Sequence, residues 1–430
     1  MQDPCIWRLK NGLDKRFRSG HPWVYSNELA SSPKGIDAGQ LIELQDKSGH
    51  FLAKGYGNPH SLIAFRALSR NPQVVDPMSP DWVTHALVKA ACLRRTIGLS
   101  KVSHRLCFGE ADGIPGLVID RYRTESGQVF VVQAHTAGAQ RICNSILGIL
   151  ETYTGDVTTD VPWDKTSVVL RNDIGARKLE GLEEEAPNAI KEVDGVDLSA
   201  QNIFVASAAR GDQALLFSVD LLSGQKTGFF LDQAANIELA VLRFKDLFRH
   251  GDSPIKILDL FCYVGQWGTQ LGSALKRDGL NVSVTAADAS AKALEFAKKN
   301  LARNDLPSET LKADLIRGLA SIPDKSFDIV ICDPPALIKS RKDIASGSHA
   351  YLQLATQVFR IIKEGGGVVC CSCSQLLQEE RFLEALAKGS RRNHRLVKWI
   401  ARGTPSADHP MLAEFPEGRY LKAWIGIADG

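Results

Sequence analysis

The second half of the chain carries a repeated hydrophobic pattern. Ile255-Lys-Ile-Leu-Asp259, Val282 to Asp288, Leu311 to Asp314 and Phe327 to Asp333 are apolar runs that each end on an aspartate. Runs of this kind, short and close to continuously apolar, predict parallel strands buried on both faces. After the first run come Gly265 and Gly268, and then Thr269 to Lys276, whose apolar spacing predicts an amphipathic helix. Strand, glycine turn and helix in that order predict the ligand-binding corner of a doubly wound α/β sheet, with the four aspartates facing one crevice at the carboxyl edge. A fifth run, Val368 to Cys371, follows Gly365-Gly-Gly and predicts a core strand that delivers Cys373 to the same edge.

Upstream the pattern changes. Gly39 to Asp46 alternates apolar and polar residues, Lys47-Ser-Gly49 is a turn, and Phe51 to Tyr56 returns, which predicts a small β-rich unit over residues 1–78. Three prolines between Asn71 and Pro80 mark its boundary. Residues 79–195 then mix short elements. A helix is predicted from Asp81 to Ile97 and a hairpin from Leu106 to Asp120, punctuated by Asp112-Gly113 and Pro115-Gly116. Strands over 127–134 and 168–171 flank a long helix from Ala137 to Thr152, with Ile142, Ile146, Leu147 and Leu150 on one face. This scale is too small for a Rossmann-like sheet and predicts a separate α+β domain. The sheet with the four aspartates belongs to residues 196–430. Just ahead of it, Gly224 to Gln233 predicts a turn followed by a strand-like Phe229-Phe-Leu.

Composition narrows the picture little. Hydrophobic residues at 44% and charged residues at 23% are ordinary globular values, and a net charge of +3 argues neither for nor against nucleic acid. Met1 to Ile6 lacks the basic-then-apolar sequence of a secretory leader, and no run has the length of a membrane span. The nine cysteines are scattered without paired spacing, which predicts a reduced, cytoplasmic protein. Cys370-Cys371-x-Cys373 has no partner pair elsewhere, so no metal site is expected.

The candidate chemistry lies at the crevice. A dinucleotide cradle needs three glycines to approach a pyrophosphate, but here Phe261 stands in place of the first. An adenosyl group without phosphates suits the corner better, its ribose hydroxyls on Asp288 and its adenine edge at Asp314. The layout resembles the class I S-adenosylmethionine-dependent methyltransferases. A lone cysteine on an apolar strand is usually a small core residue. Cys373, however, sits between two serines where the strand gives way to a loop. Near the start, Arg8, Lys10, Lys15, Arg16 and Arg18 lead to Trp23 and Tyr25, a basic run beside aromatics of the type that single-stranded RNA favours.

Further stretches carry a closer resemblance: His21-Pro-Trp-Val-Tyr25, Gly109-Glu-x-Asp-Gly-Ile-Pro-Gly-Leu-Val-Ile-Asp-Arg121, Arg177-Lys-x-Glu-Gly181, Lys226-Thr-Gly-Phe-Phe-Leu-Asp-Gln233, Asp333-Pro-Pro335, Ser372-Cys-Ser374, Ala407-Asp-His-Pro410 and Phe415-Pro-Glu-Gly-x-Tyr-Leu-Lys422. In this order, over nearly the whole length, they resemble the bacterial ribosomal RNA large-subunit methyltransferase I family, which makes 5-methylcytidine in 23S rRNA. The resemblance implies an N-terminal PUA RNA-binding domain, a central α+β domain and a C-terminal class I methyltransferase domain. It implies S-adenosylmethionine as cofactor, held by Lys226, Gln233, Asp259, Phe261, Gly265, Asp288, Asp314 and Asp333. It makes Cys373 the nucleophile, with Asp333 at the base, and 23S rRNA the partner, met by Lys10, Arg16, Arg18 and Trp23. No metal and no membrane are expected, and a homodimer is a candidate assembly. Ala234 stands where many relatives have arginine, and Ala336-Leu-Ile follows Asp-Pro-Pro in place of a more usual pair. Two other readings stay open: a methyltransferase for a base nitrogen such as guanine's, with Cys373 structural, and a non-catalytic RNA-binding assembly factor.

Overall fold

The computed structural model describes residues 5–156, 161–208, 214–248 and 254–429. Met1 to Pro4, the start of the stretch read above for a leader, lie outside them. Contacts divide the chain into two units, one of residues 1–204, 220–229 and 407–418, the other of 205–219, 230–406 and 419–430.

The first unit opens with β1 (Cys5–Arg8), the one-turn helix α1 (Lys15–Arg18), β2 (Trp23–Val24), β3 (Gln40–Gln45), β4 (Phe51–Gly57) and β5 (Phe65–Ser69). These strands form one sheet in the order β1-β3-β4-β5-β2, parallel between β1 and β3 and antiparallel elsewhere. Trp7, Phe17, Ile42, Leu44 and Phe65 fill its core. The helix α2 (Pro80–Thr96) starts behind Ser79, whose hydroxyl accepts the Trp82 N–H, with proline at the first helical position, where no N–H is needed.

A second sheet follows from β6 (His104–Phe108), β7 (Leu117–Arg123), β8 (Gln128–Ala134), β9 (Thr166–Leu170) and β10 (Asn188–Lys191), in the order β10-β9-β8-β7-β6. The hairpin expected between Leu106 and Asp120 is the antiparallel pair β6–β7. The single helix expected from Ala137 to Thr152 is instead two, α3 (Ala137–Cys143) and α4 (Ile146–Asp156). The break falls at Asn144-Ser145, residue types whose side chains compete for backbone hydrogen bonds.

The two sheets of this unit are joined by buried polar groups. Glu180 receives Arg66 at 2.8 Å, Ser61 Oγ at 2.7 Å and Asn58 Nδ2 at 2.9 Å. The Tyr56 hydroxyl donates to Pro115 O at 2.8 Å. A Cβ on Gly138 would come within 2.3 Å of the Tyr56 ring, so only glycine lets α3 approach it. Residues 407–418 complete the unit: Asp408 Oδ2 accepts the Arg105 N–H at 2.8 Å, and Phe415 packs edge-on against Trp23.

The chain leaves the first unit at the end of β11 (Gln201–Val205), and β12 (Leu215–Val219) belongs to the second. The expected strand at Phe229-Phe-Leu is absent; Leu231–Gln233 is a 3₁₀ turn leading into α5 (Ala234–Phe244). Then come β13 (Ile255–Leu260), α6 (Gln266–Arg277), β14 (Val282–Asp288), α7 (Ala291–Arg303), β15 (Ser308–Lys312), β16 (Phe327–Cys332), α8 (Ile344–Ile361), β17 (Ile362–Ser372), α9 (Glu379–Arg391), β18 (Leu396–Gly403) and β19 (Lys422–Asp429).

They build a sheet in the order β15-β14-β13-β16-β17-β19-β18. The first five strands are parallel, and β19 enters antiparallel between β17 and β18. One face packs on α5, α6 and α7 through Ile237, Trp267, Leu271 and Ala297, the other on α8 and α9 through Tyr351, Val358 and Phe382. Burial on both faces is why these strands read as continuous apolar runs. Cys371 faces the first core and Cys370 the second, the alternation of a strand. The strand order reverses between β13 and β16, which places the crevice at their carboxyl ends.

Candidate active site

The corner begins at Asp259, near the end of β13. Its Oδ2 accepts the Gly268 N–H at 2.8 Å, while its buried Oδ1 has no hydrogen-bond partner. Burial pushes the carboxyl up to about 7; the charges of Asp333 and Asp288 add to this and the Gly268 hydrogen bond opposes it. Between Asp259 and α6 the chain turns tightly. Phe261 (φ 61°) and Tyr263 (φ 49°) both take left-handed backbone, unusual for bulky residues and a mark of a turn held by its surroundings. The holding bonds are specific: Asp288 Oδ2 accepts the Tyr263 N–H at 3.0 Å, and Asn300 Nδ2 donates to Val264 O at 2.9 Å. Gly265 (φ 78°) precedes α6, where a Cβ would meet Ala297 at 3.1 Å. Phe230 packs edge-on against Tyr263, with ring centroids 5.3 Å apart.

Asp288 ends β14 and also accepts the Ser290 N–H at 2.8 Å. Asp314 lies two residues beyond β15. The Ala313 N–H bonds to Asp288 O at 3.1 Å, which keeps Asp314 beside the β14 end, while its side chain turns outward to Arg317 at 3.1 Å. The corner thus offers a buried carboxyl, a carboxylate fixed to the turn and a contorted aromatic loop, a cradle suited to a nucleoside with hydroxyls rather than to phosphates.

Asp333 follows β16. Its Oδ2 accepts Gln233 Nε2 at 2.8 Å and Trp267 Nε1 at 3.1 Å, so α6 and the Leu231–Gln233 turn together aim it. Cys373 follows the neighbouring strand β17, with its Sγ 3.9 Å from Pro334 O. A chain of hydroxyls holds the cysteine loop. Ser372 Oγ donates to the Tyr351 hydroxyl at 2.9 Å, and that hydroxyl lies 3.0 Å from Ser374 Oγ. Ser374 Oγ in turn accepts the Ile338 N–H at 3.1 Å, which ties the loop to the segment leaving Asp333-Pro-Pro. Burial pushes the Tyr351 hydroxyl up to about 12, so it stays protonated and works as a hydrogen-bond relay. Cys370 and Cys371 are buried, and burial pushes both thiols up. Cys373 is partly exposed.

The structure brings Asp259, Phe261, Gly265, Asp288, Asp333 and Gln233 to one corner, with Asp314 at its rim. Lys226 (φ 53°) falls in the first unit, on the opposite side of the chain division from Gln233. The residues expected to meet RNA are engaged within the first unit. Arg16 donates to Trp23 O and to Glu28, both at 3.0 Å, Arg18 pairs with Asp14 and Asp46, Lys10 donates to Asn27 O, and Trp23 Nε1 donates to Glu110 at 2.8 Å. Sequence reasoning passed over Trp267, Phe230 and Tyr351. Trp267 carried a signal, since it lies between the two turn glycines; Tyr351 reaches the site from α8 by tertiary packing alone.

Among the described residues no helix is long and apolar enough to cross a membrane, and no three His, Cys, Asp or Glu side chains gather as metal ligands.

Comparison with known proteins adds to this geometry. Residues 8–70 match the model of a PUA-like domain, and residues 252–415 match that of a methyltransferase domain. Over 433 residues the chain is 31% identical to the ribosomal RNA large subunit methyltransferase I of Photobacterium profundum, with 97% of each covered. The chain belongs to that family. The relative of the same name from Escherichia coli O127:H6 is 28% identical over 425 residues, again covering 97% of each chain. A solved Streptococcus mutans structure, described as a candidate SAM-dependent methyltransferase, superimposes with a TM-score of 0.72 over 98% of this chain and 100% of its own. At 15% identity this likeness speaks for the fold. The family's methyltransferase domain is therefore the sheet that holds Asp259, Asp288, Asp333 and Cys373.

Proposed function

We propose that this protein methylates carbon 5 of a cytosine in large-subunit ribosomal RNA, using S-adenosylmethionine and a covalent adduct on Cys373. The observation that carries this reading is the placement of Cys373, loosely buried after β17 and beside Pro334 of the Asp333-Pro-Pro turn, while Cys370 and Cys371 are sealed in the core. The large-subunit ribosomal RNA substrate follows from the family's name, and the PUA-like segment suits an RNA.

The cofactor would be held by Asp288 on its ribose, by the Phe261–Gly265 turn and by the rim at Asp314; the unpartnered Oδ1 of Asp259 leaves a polar group for it inside the corner. Bound there, S-adenosylmethionine supplies an electrophilic methyl group. Carbon 5 of cytosine is a poor nucleophile unaided. The Cys373 thiolate adds to carbon 6, forming a C–S bond and making carbon 5 enamine-like, able to take that methyl group. Asp333, held by Gln233 and Trp267, would act in its protonated form, donating to ring nitrogen 3 and supplying the proton that offsets the electron density moving there. Transfer of the carbon 5 proton to solvent and return of the nitrogen 3 proton to Asp333 restore the ring double bond, break the C–S bond and return the thiolate.

Cys373→Ser tests the reading. The swap is nearly isosteric, so fold and cofactor affinity should persist while methylation of the RNA falls by at least about 10³-fold. Full turnover by the purified variant would remove the nucleophile and leave the base-nitrogen reading in its place.

A further inference from the structure

Asn236 stands in the first turn of α5, three residues beyond Gln233, and is 1% exposed. Its Nδ2 donates to Gln233 Oε1 at 2.7 Å, and Gln233 Nε2 donates in turn to Asp333 Oδ2 at 2.8 Å. The asparagine gains little for itself. Its Oδ1 is buried without a hydrogen-bond partner, against Gly403 of β18, where a Cβ would come within 2.0 Å of it. An unpartnered buried carbonyl destabilises a fold, so an apolar side chain would suit this place better if packing were its only purpose.

The relay has one loose joint. The turn that carries Gln233 is fixed: Ser406 Oγ donates to Leu231 O and the Ser406 N–H to Asp232 O, both at 2.9 Å, and the Tyr420 hydroxyl donates to Asp232 Oδ2 at 2.6 Å. The Gln233 amide, however, has two orientations about its last bond, one offering N–H to Asp333 and the other C=O. The Asn236 N–H donor selects the first. Trp267 Nε1 donates to the same Asp333 Oδ2 at 3.1 Å. In a carboxylic acid the better acceptor is the carbonyl oxygen, and the hydrogen sits on the other. Two N–H donors on Oδ2 therefore put the proton of the acid on Oδ1. Titratable groups press on the relay from neighbouring strands. The charge of Asp333 is felt by Asp259 of β13. Burial pushes the Cys371 thiol of β17 up, against a hydrogen bond from Gln233, so it stays protonated.

We propose that Asn236 is a positioning residue for the methyl transfer: by orienting Gln233 it makes Asp333 Oδ2 the acceptor and holds the acid's proton on Oδ1, for delivery to nitrogen 3 of the base. The inference rests on Asp333 acting as the acid in the proposed reaction. With the Gln233 amide inverted, its carbonyl would draw the proton to Oδ2 and away from the base. The cofactor corner would be untouched.

The test reverses the hydrogen bond without changing the shape. Asn236→Asp is isosteric, but when ionised it can only accept, so it takes the Gln233 N–H and turns the Gln233 carbonyl to Asp333. In the full-length protein with saturating RNA, kcat should fall by about 100-fold at pH ~8 with the KM for S-adenosylmethionine unmoved. The introduced carboxyl is buried and, once protonated, donates as the asparagine did, so the ratio of variant to wild-type kcat should recover as the pH is lowered from ~8 to ~6. Asn236→Ala, which releases the amide, should lose about tenfold in kcat and show no such recovery. Packing alone predicts the opposite order, with the isosteric variant nearer to native and neither ratio moving with pH. A native kcat in folded Asn236→Ala, or a pH-independent ratio in folded Asn236→Asp, overturns the proposal. Should Asn236→Asp lose the folded state, Asn236→Ala decides alone: a lowered kcat at an unmoved KM supports the proposal, and a native kcat overturns it. The readings fail separately: an active Cys373→Ser overturns the nucleophile and an active Asp333→Ala the acid, whereas inactivity of both beside a native kcat in the Asn236 variants overturns Asn236 alone.

Discussion

Asp259 carries its carboxyl in surroundings far from water. Its carboxyl is raised from an ordinary 3.8 to about 7 by burial, reinforced by Asp333 and Asp288. A carboxyl raised in the folded state binds its proton more tightly there than in the unfolded chain. Its contribution to stability is thus complete below pH ~4 and is lost as the pH rises through about 7. Asp259→Asn keeps an oxygen for the Gly268 N–H and removes the titration. The stability difference, wild type minus variant, should therefore fall by roughly 2–4 kcal/mol between pH ~4 and ~8, read from urea denaturation at each pH. A difference independent of pH would mean that Asp259 does not titrate in this range. At this scale much of the site was legible: Asp259, Asp288 and Asp333 each end an apolar run, and adjacent parallel strands bring such ends together. Tyr351 was not legible as a site residue. Its hydroxyl reaches the cysteine loop from α8, a meeting of segments with no shared local pattern.

Among the elements, the strand–turn–helix corner formed as its sequence predicts, yet its glycines serve different needs. Gly265 supplies a left-handed backbone before α6. Gly268 lets α6 sit close on the sheet: a Cβ there would meet Val284 Cγ1 at 2.7 Å and Asp259 Oδ2 at 3.1 Å. Gly268→Ala must push the helix off β13 and β14, at a cost of about 1–3 kcal/mol. The shift also stretches the Gly268–Asp259 hydrogen bond, so S-adenosylmethionine affinity should fall along with the melting temperature. Calorimetric titration and thermal unfolding check the pair, and unchanged values in both would show that the corner tolerates the displacement. Two element-scale expectations failed for local reasons. Asn144-Ser145 splits the helix expected from Ala137, although the apolar face runs through the break. The Phe229-Phe-Leu run looked like a strand, but Gly228 (φ 117°) and the following 3₁₀ turn bend it away from any sheet.

For the whole molecule, apolar patterning marked the large parallel sheet and the small N-terminal one, but not how the chain is apportioned between compact units. Residues 407–418 lie near the end of the sequence and fold with the first unit, through Asp408 on Arg105 and Phe415 on Trp23. Likewise, Glu180 and Arg66 join the PUA-like sheet to the next one by a buried pair. Neither contact has a periodic signature, because each rests on a few polar or aromatic residues far apart in sequence. The basic run from Arg8 to Arg18 reads as an RNA face, and within it Arg16 and Arg18 also pair with Glu28, Asp14 and Asp46. Charge counted along a sequence cannot distinguish a solvated cation from one already paired.

The central claim, a cytosine methylated through a covalent thiol adduct, is tested most directly by trapping. Ribosomal RNA carrying 5-fluorocytidine blocks the final step, since carbon 5 bears fluorine in place of the departing proton. Incubated with the full-length protein and S-adenosylmethionine, it should give a denaturation-stable protein–RNA complex whose crosslinked peptide contains Cys373, and Cys373→Ser should give none. Methylation of unmodified RNA without any such complex, or a complex mapped to another residue, would contradict the account.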